Sequence, residues 1–203
     1  MTTANPQAPS PARRRGDLLL ESIYTAATEI INTEGYANLT FLKVAERAKT
    51  SRTVLYRRWE TPFDLVRAIM AYRTTRALGG DLMDEVKDTG SLRGDLLHLL
   101  KMYQKIYTAV GPDIMNAMLL EMSRNNMQLP VIKDDIGLRN HQLIERILGF
   151  AQLRGEKIKT LSPATLTLPF DMVRVRFLWG TPVLDKHTME QMVDEVLLPV
   201  FMG

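Results

Sequence analysis

The sequence predicts an all-α protein: an N-terminal three-helix head built around a helix-turn-helix, followed by a larger helical-bundle body. Three observations predict it. Apolar residues recur at helical spacing along most of the chain, and no stretch alternates like a strand over a useful length. Helix punctuation is regular, with Thr40, Ser51 and Thr61-Pro62 at starts and Gly35, Gly79-Gly80 and Gly111-Pro112 at stops. Charge is unevenly placed: residues 1–78 carry 12 Lys/Arg against 7 Asp/Glu, whereas residues 79–203 carry 14 against 16. The basic part coincides with the small head, and the acidic part has no electrostatic reason to approach a polyanion.

Composition narrows the function. The chain of 203 residues is 45% apolar, enough to bury a core in one large or two modest domains. It has no cysteine, which excludes disulfides, thiolate catalysis and cysteine-based zinc sites. His98, His141 and His187 are far apart and lack metal-ligand spacing, so neither a metal site nor a cofactor is expected. No nucleophile elbow, phosphate-cradling glycine loop or HExxH motif is present, so no enzyme is expected. No apolar run reaches membrane length, and the basic N-terminal stretch lacks the apolar region of a secretion signal. These absences lead us to expect a soluble cytoplasmic protein.

In chain order, residues 1–15 read as a disordered basic arm, rich in Pro, Ala and Thr and ending in Arg13-Arg14-Arg15. Such an arm beside a helix-turn-helix can reach a minor groove or the phosphates. The head proper is expected over residues 16–60. Leu19, Ile23, Ala26, Ala27, Ile30 and Ile31 predict a first helix over 17–34, closed by Gly35 as a left-handed cap. Thr40 caps a second helix, and Leu39 with Val44 can form a hydrophobic staple. Lys43 at the third helical position rules out a capping box. Val44, Ala45 and Ala48 make a narrow inward stripe that lets a neighbouring helix approach closely. Ser51 caps a third helix with Val54, Leu55 and Trp59 on one side and Arg52, Thr53, Tyr56 and Arg57 on the other.

The outer side of that third helix has the chemistry of a DNA-reading element. Arginine reads guanine bidentately or clamps a phosphate, threonine touches a thymine methyl or a base edge, and tyrosine and serine hydroxyls bind phosphate oxygens. The candidate contacts to a double-stranded DNA operator are Arg13, Arg14, Arg15, Thr40, Lys49, Ser51, Arg52, Thr53, Tyr56, Arg57 and Arg58.

The stretch from Arg15 to about Tyr72 resembles the TetR family of transcriptional regulators. The pattern is an amphipathic first helix, then Gly35-Tyr36, Thr40, Val44-Ala45, Ala48, Ser51, Leu55-Tyr56, Trp59 and Leu65. The resemblance implies a DNA-binding head, an all-helical effector-binding body, a homodimer, and repression relieved by a small effector. Three positions depart from the pattern. Lys49 stands where the inter-helix turn usually carries glycine, Thr50 where a valine-like residue is common, and Pro62 where many relatives place a phosphate-binding lysine.

A connecting helix is expected over 61–80, with Phe63, Val66, Ile69 and Met70 facing inward. The body, 81–203, is expected to bind the effector and to dimerise. Its helices are predicted over 91–110, 113–125, 131–153, 163–179 (interrupted by Pro169) and 188–201, the last capped by Thr188 with Gln191, or earlier by Asp185. Ten of the twelve methionines lie in residues 79–203. Methionine suits surfaces that accept varied apolar shapes, so His98, Met102, Tyr103, Tyr107, Met115, Met118, Glu121 and Met122 are the candidate pocket for a small apolar or aromatic effector, with Asn116 and Arg124 as further polar handles. The alternative is a constitutive DNA-binding regulator whose methionines only fill the core. Residues 153–203 resemble the end of a TetR subgroup that pairs through its last two helices. The candidate dimer faces are Leu168, Val173, Phe177 and Leu178 on one helix, and Met189, Met192, Val193, Val196, Leu197 and Val200 on the other.

Overall fold

Local capping sets most of the helix ends. A computed structural model describes residues 11–124, 129–180 and 183–203, with the backbone alone for 11–15, 122, 124 and 129–136. Helix α1 spans Pro11–Glu34, and a single 3-10 turn, Tyr36–Asn38, leads to α2 at Phe41–Arg47 and α3 at Arg52–Tyr56. Thr40 and Ser51 accept the backbone N–H of Lys43 and Val54 at 3.3 and 3.4 Å, as the sequence predicts. Helix α4, Pro62–Leu78, opens on a reciprocal box: Asp64 accepts from the Thr61 N–H at 3.0 Å, and Thr61 accepts from the Asp64 N–H at 3.2 Å.

The described residues fall into two compact units divided between Ile69 and Met70, inside the unbroken α4. In the first unit α1 gives Ile23, Ala27 and Ile30, α2 gives Val44, α3 gives Leu55, and α4 gives Leu65, Val66 and Ile69, all fully buried. The small stripe Val44, Ala45 and Ala48 is buried, and the Ser22 hydroxyl donates to the Ala48 carbonyl, tying α1 to the end of α2.

In the second unit α5 (Leu92–Val110), α6 (Pro112–Arg124), α7 (Leu129–Leu153) and α8 (Pro163–Leu178) pack together. Leu92, Leu96, Leu99, Leu100, Ile106 and Val110 of α5 face inward, as the helical spacing predicts. The connection 79–91 is pinned along its length. Arg146 donates to the Met83 carbonyl at 3.0 Å, His98 Nε2 bonds the Glu85 carbonyl at 2.7 Å, and Asp95 accepts from Thr89 N and Oγ1 at 2.7 Å each. Arg154 joins Asp88, Asp95 and Glu156, and Glu156 in turn accepts the Leu92 N–H that opens α5. Burial opposes the Arg154 charge, but its bonds to Asp95 and Glu156 outweigh that and raise its pKa.

Several expectations are corrected. Helix α1 starts at Pro11 rather than Asp17, so Arg13, Arg14 and Arg15 belong to its first turns and not to a disordered arm over 1–15. Proline is compatible with a first turn, and alanine and arginine are good helix formers. The side chains of those arginines, and residues 1–10, lie outside the described residues. Gly35 has φ 83 and ψ 155, an extended positive-φ conformation that glycine alone adopts at low cost, rather than a left-handed cap. The last helix starts at Lys186 rather than Thr188, and of the two caps the sequence offers Asp185 is the one used. It runs as α9 (Lys186–Gln191), a π-helical turn (Met192–Leu197) and α10 (Leu198–Phe201). Pro199 has no N–H for the Glu195 carbonyl and crowds it, which a wider turn accommodates.

The dimer faces need the largest correction. Val173, Phe177, Met189, Met192, Val193 and Leu197 are buried within the chain's own core, so they are closed to a second copy. Helix α8 has two apolar stripes, and the inner one is Leu166, Pro169, Phe170, Val173 and Phe177. The outer one is Leu168, Met172, Val175 and Trp179, with Val175 50% and Trp179 86% exposed. Leu168, Leu178 and Val196 remain partly accessible, and Val200 is exposed.

Candidate nucleic-acid interface

The turn between α2 and α3 is built as a helix-ending motif on an unfavourable residue. The Thr50 N–H donates to the Ala45 carbonyl at 2.9 Å and the Lys49 N–H to Glu46 at 3.2 Å, a bond pair that closes a helix through one left-handed residue. That residue is Lys49, at φ 52. A side chain there costs about 1–2 kcal/mol that glycine would avoid. In return the turn carries an exposed cation immediately before α3.

The five-residue α3 is fixed from beneath by Leu55, fully buried, and by Trp59, which lies 6.1 Å from the Tyr24 ring. Ser51, Arg52, Thr53, Tyr56, Arg57 and Arg58 are exposed, as is Thr40. Tyr56 is 61% exposed, yet its ring meets Phe41 edge-on at 4.8 Å and 90°. The buried Phe41 therefore holds the phenol upright while leaving its hydroxyl in solvent.

The cations of the head fall into two groups. Lys43 and Arg47 on α2 are held by Glu34, at 2.7 and 3.0 Å. The Lys43 bond is the main cause that lowers the Glu34 pKa, with partial burial opposing and Arg47 adding. Arg67 lies 3.7 Å from Asp64. Among the described residues, Lys49, Arg52, Arg57 and Arg58 have no carboxylate partner. Sequence reasoning missed Glu34, because its partners stand nine and thirteen residues away with no local spacing rule to mark them. It also missed Leu42, an exposed apolar residue on α2.

Comparison with known proteins agrees with this geometry. Residues 23–69 match the model of bacterial regulatory proteins of the tetR family, and residues 86–196 match the tetracyclin repressor-like C-terminal domain. An HTH-type transcriptional regulator of Mycobacterium tuberculosis is 30% identical over 202 residues, covering 96% of this chain and 91% of that protein. The chain belongs to the TetR family. It is a DNA-binding transcriptional regulator by that membership, and not an enzyme. A DNA-binding transcriptional repressor TetR of Mycobacteroides abscessus is 26% identical over 185 residues, covering 91% of this chain and 94% of its own length. Two solved structures share the fold: a TetR family regulator from Marinobacter aquaeolei (TM-score 0.63, 18% identity, 94% of this chain and 99% of that one) and the SmeT–triclosan complex (TM-score 0.59, 14% identity, 91% and 92%).

In the body of this TetR-family regulator, the predicted pocket residues separate. Met102, Tyr103, Tyr107, Met115 and Met118 are all buried. Tyr103 donates to Asn140 Oδ1 at 2.5 Å, and its ring meets Phe170 at 4.9 Å and Tyr107 at 5.9 Å. Tyr107 stacks on Phe177 at 5.3 Å. Burial raises the pKa of both phenols, so both stay protonated. His98 instead points to the Glu85 carbonyl and holds the 79–91 connection. Glu121 is half-buried and engaged with a polar partner, and Asn116 is exposed. The side chains of Met122 and Arg124 lie outside the described residues. Asn140 and Arg174, which complete the polar side of this cluster, were not expected. Nothing in the spacing of α7 or α8 alone marks them.

Proposed function

We propose that this regulator reads its operator with the outer side of α3. Arg52 and Thr53 are the base-reading residues, and Thr40, Lys49, Ser51, Tyr56, Arg57 and Arg58 fix the register on phosphates, with Arg13–Arg15 adding charge from the start of α1. The observation that carries this reading is that the cations of the α2–α3 turn and of α3 are exposed and free of carboxylate partners, while those of α2 are tied to Glu34. Pro62 donates nothing to phosphate, so Arg57 and Arg58 take on that work.

The functional unit is a homodimer. The outer stripe of α8, Leu168, Met172, Val175 and Trp179, is the surface for the second copy, with the accessible Leu178, Val196 and Val200 as further apolar candidates. A two-fold pair sets its reading helices about 34–36 Å apart, one turn of DNA. A small apolar or aromatic effector held among α5, α6, α7 and α8 relieves repression by binding the wrongly spaced arrangement more tightly. The unbroken α4 transmits the change. The fold-level likeness to a triclosan-bound regulator supports this reading by analogy. The mutual packing of Tyr103, Tyr107, Phe170 and Phe177 favours the second reading, a regulator without an effector.

The test is fluorescence anisotropy on DNA taken from upstream of the protein's own gene, against random duplex. Specific binding that survives Val175→Arg, a variant expected to be monomeric in sedimentation, refutes the dimer. A panel of apolar and aromatic compounds that moves neither the melting temperature nor the DNA affinity supports the effector-free reading.

A further inference from the structure

Helix α2 has a flank that the head's own packing leaves open. At about 100° per residue its side chains run round the axis in the order Arg47, Val44, Ala48, Phe41, Ala45, Leu42. The start of that order belongs to α1: Glu34 holds Arg47 at 3.0 Å, and the Ser22 hydroxyl reaches the Ala48 carbonyl. The middle belongs to α3: the Tyr56 ring meets Phe41 edge-on at 4.8 Å, and the Thr50 N–H before α3 binds the Ala45 carbonyl. Leu42 comes next, so it lies on the α3 side of α2 and away from α1, and it is 49% exposed. Exposed leucines are ordinary on a protein surface, and Leu18 of α1 is another. Leu42 differs in its company. The exposed Thr40 precedes it by two residues, and the exposed Tyr56 rests on its neighbour Phe41. An aliphatic side chain offers nothing to a phosphate, and the exposed Glu46 one turn further on repels one. A base edge is a better match. The major groove displays one apolar group, the 5-methyl of thymine.

We propose that Leu42 is a further specificity-determining residue of the operator contact, packing on a thymine 5-methyl group beside the bases read by α3. The inference rests on the reading that the outer side of α3 enters the major groove, and it extends the sequence being read onto α2. The half-exposed side chain gains burial only where that methyl is present. Cytosine, adenine and guanine present no such group, so the contact discriminates without a hydrogen bond. Arginine and threonine of α3 read polar edges, and Leu42 adds an apolar letter to the same site.

Uracil tests this on the full-length protein, because it keeps the pairing of thymine and lacks only the methyl. The probe is a duplex enriched by the protein from a random-sequence pool, prepared with thymine or with uracil throughout and followed by fluorescence anisotropy. Wild type should prefer the thymine duplex, and in Leu42→Ala that preference should shrink by about fourfold, the value of one buried methyl-sized group. Single thymine-to-uracil exchanges should find a position where wild type loses about fourfold and Leu42→Ala loses nothing. Leu42 stands outside the core, so the variant should melt with wild type. A thymine preference unchanged in Leu42→Ala, or no single position whose loss disappears with the leucine, overturns the assignment and leaves the reading by α3 standing. If Arg52→Ala binds the enriched duplex as tightly as wild type, or no sequence is enriched at all, the reading by α3 falls and takes this inference with it.

Discussion

The arginines at and just after α3 are used in the opposite way to the paired arginines of the body. In the head, Arg52, Arg57 and Arg58 stand in solvent with no carboxylate partner among the described residues. In the body, Arg93 forks onto Asp194 at 2.6 and 2.7 Å, and Arg154 meets three acids around a fully buried Asp95. An arginine already paired must break that pair before it can bind a phosphate. One left free releases counterions from DNA without such a loss. The contrast therefore marks where charge serves a partner and where it serves the fold.

The strongest challenge to this contrast lies in the body. Asp95→Ala strips the acceptor from Thr89 and leaves Arg154 short of its buried partner, and should cost about 3–5 kcal/mol in urea unfolding. A loss within the ordinary surface range would mean that the buried carboxylate is not holding the fold. Arg52→Ala in the head should do the reverse. Stability should stay within about 0.5 kcal/mol, while specific DNA affinity falls by about 1–3 kcal/mol. An equal fall on random duplex would reassign Arg52 to the phosphates.

Lys49→Gly sharpens the comparison, since it trades binding for folding. Relief at φ 52 should stabilise the head by about 0.5–1 kcal/mol after the extra freedom of glycine in the unfolded chain is counted. The salt dependence of DNA binding should become shallower by about one unit of slope. A steep slope together with the stability gain would remove Lys49 from the interface. The smallest effect belongs to Glu34→Gln. The Lys43 bond holds the Glu34 carboxyl below its ordinary 4.5. Its stabilisation is therefore present above that value and lost as pH falls through the lower folded one. Wild type and variant should converge in thermal unfolding at the acid end and separate slightly at neutral pH, where the variant, with Lys43 and Arg47 released, should bind random DNA more tightly.

Features governed by neighbouring residues were legible in the sequence. Thr40 and Ser51 cap as expected, because a cap depends on three residues, and the one-sided apolar faces of α1 and α5 needed only their spacing. The outward set on α3 was legible because Val54, Leu55 and Trp59 left a single way to bury it. Helix α8 was not, since Val173 and Phe177 on one stripe and Val175 and Trp179 on the other are equally apolar. Tyr107, distant in the chain, decides the matter by stacking on Phe177. Glu34, Asn140 and Arg174 escaped for the same reason: their partners are set by packing rather than by spacing. The π-helical turn before Pro199 needed the whole end of the chain in place, where Lys159 takes the Pro199 and Phe201 carbonyls.

The pinned connection between α4 and α5 has a mechanical consequence. A slack tether of thirteen residues would swallow any small displacement at its far end. Here Arg146, His98 and Asp95 nail it down at Met83, Glu85 and Thr89, so slack is left only in the few residues next to α4. On the proposed mechanism, a shift of α7 would reach Met83, five residues beyond the end of α4, through Arg146.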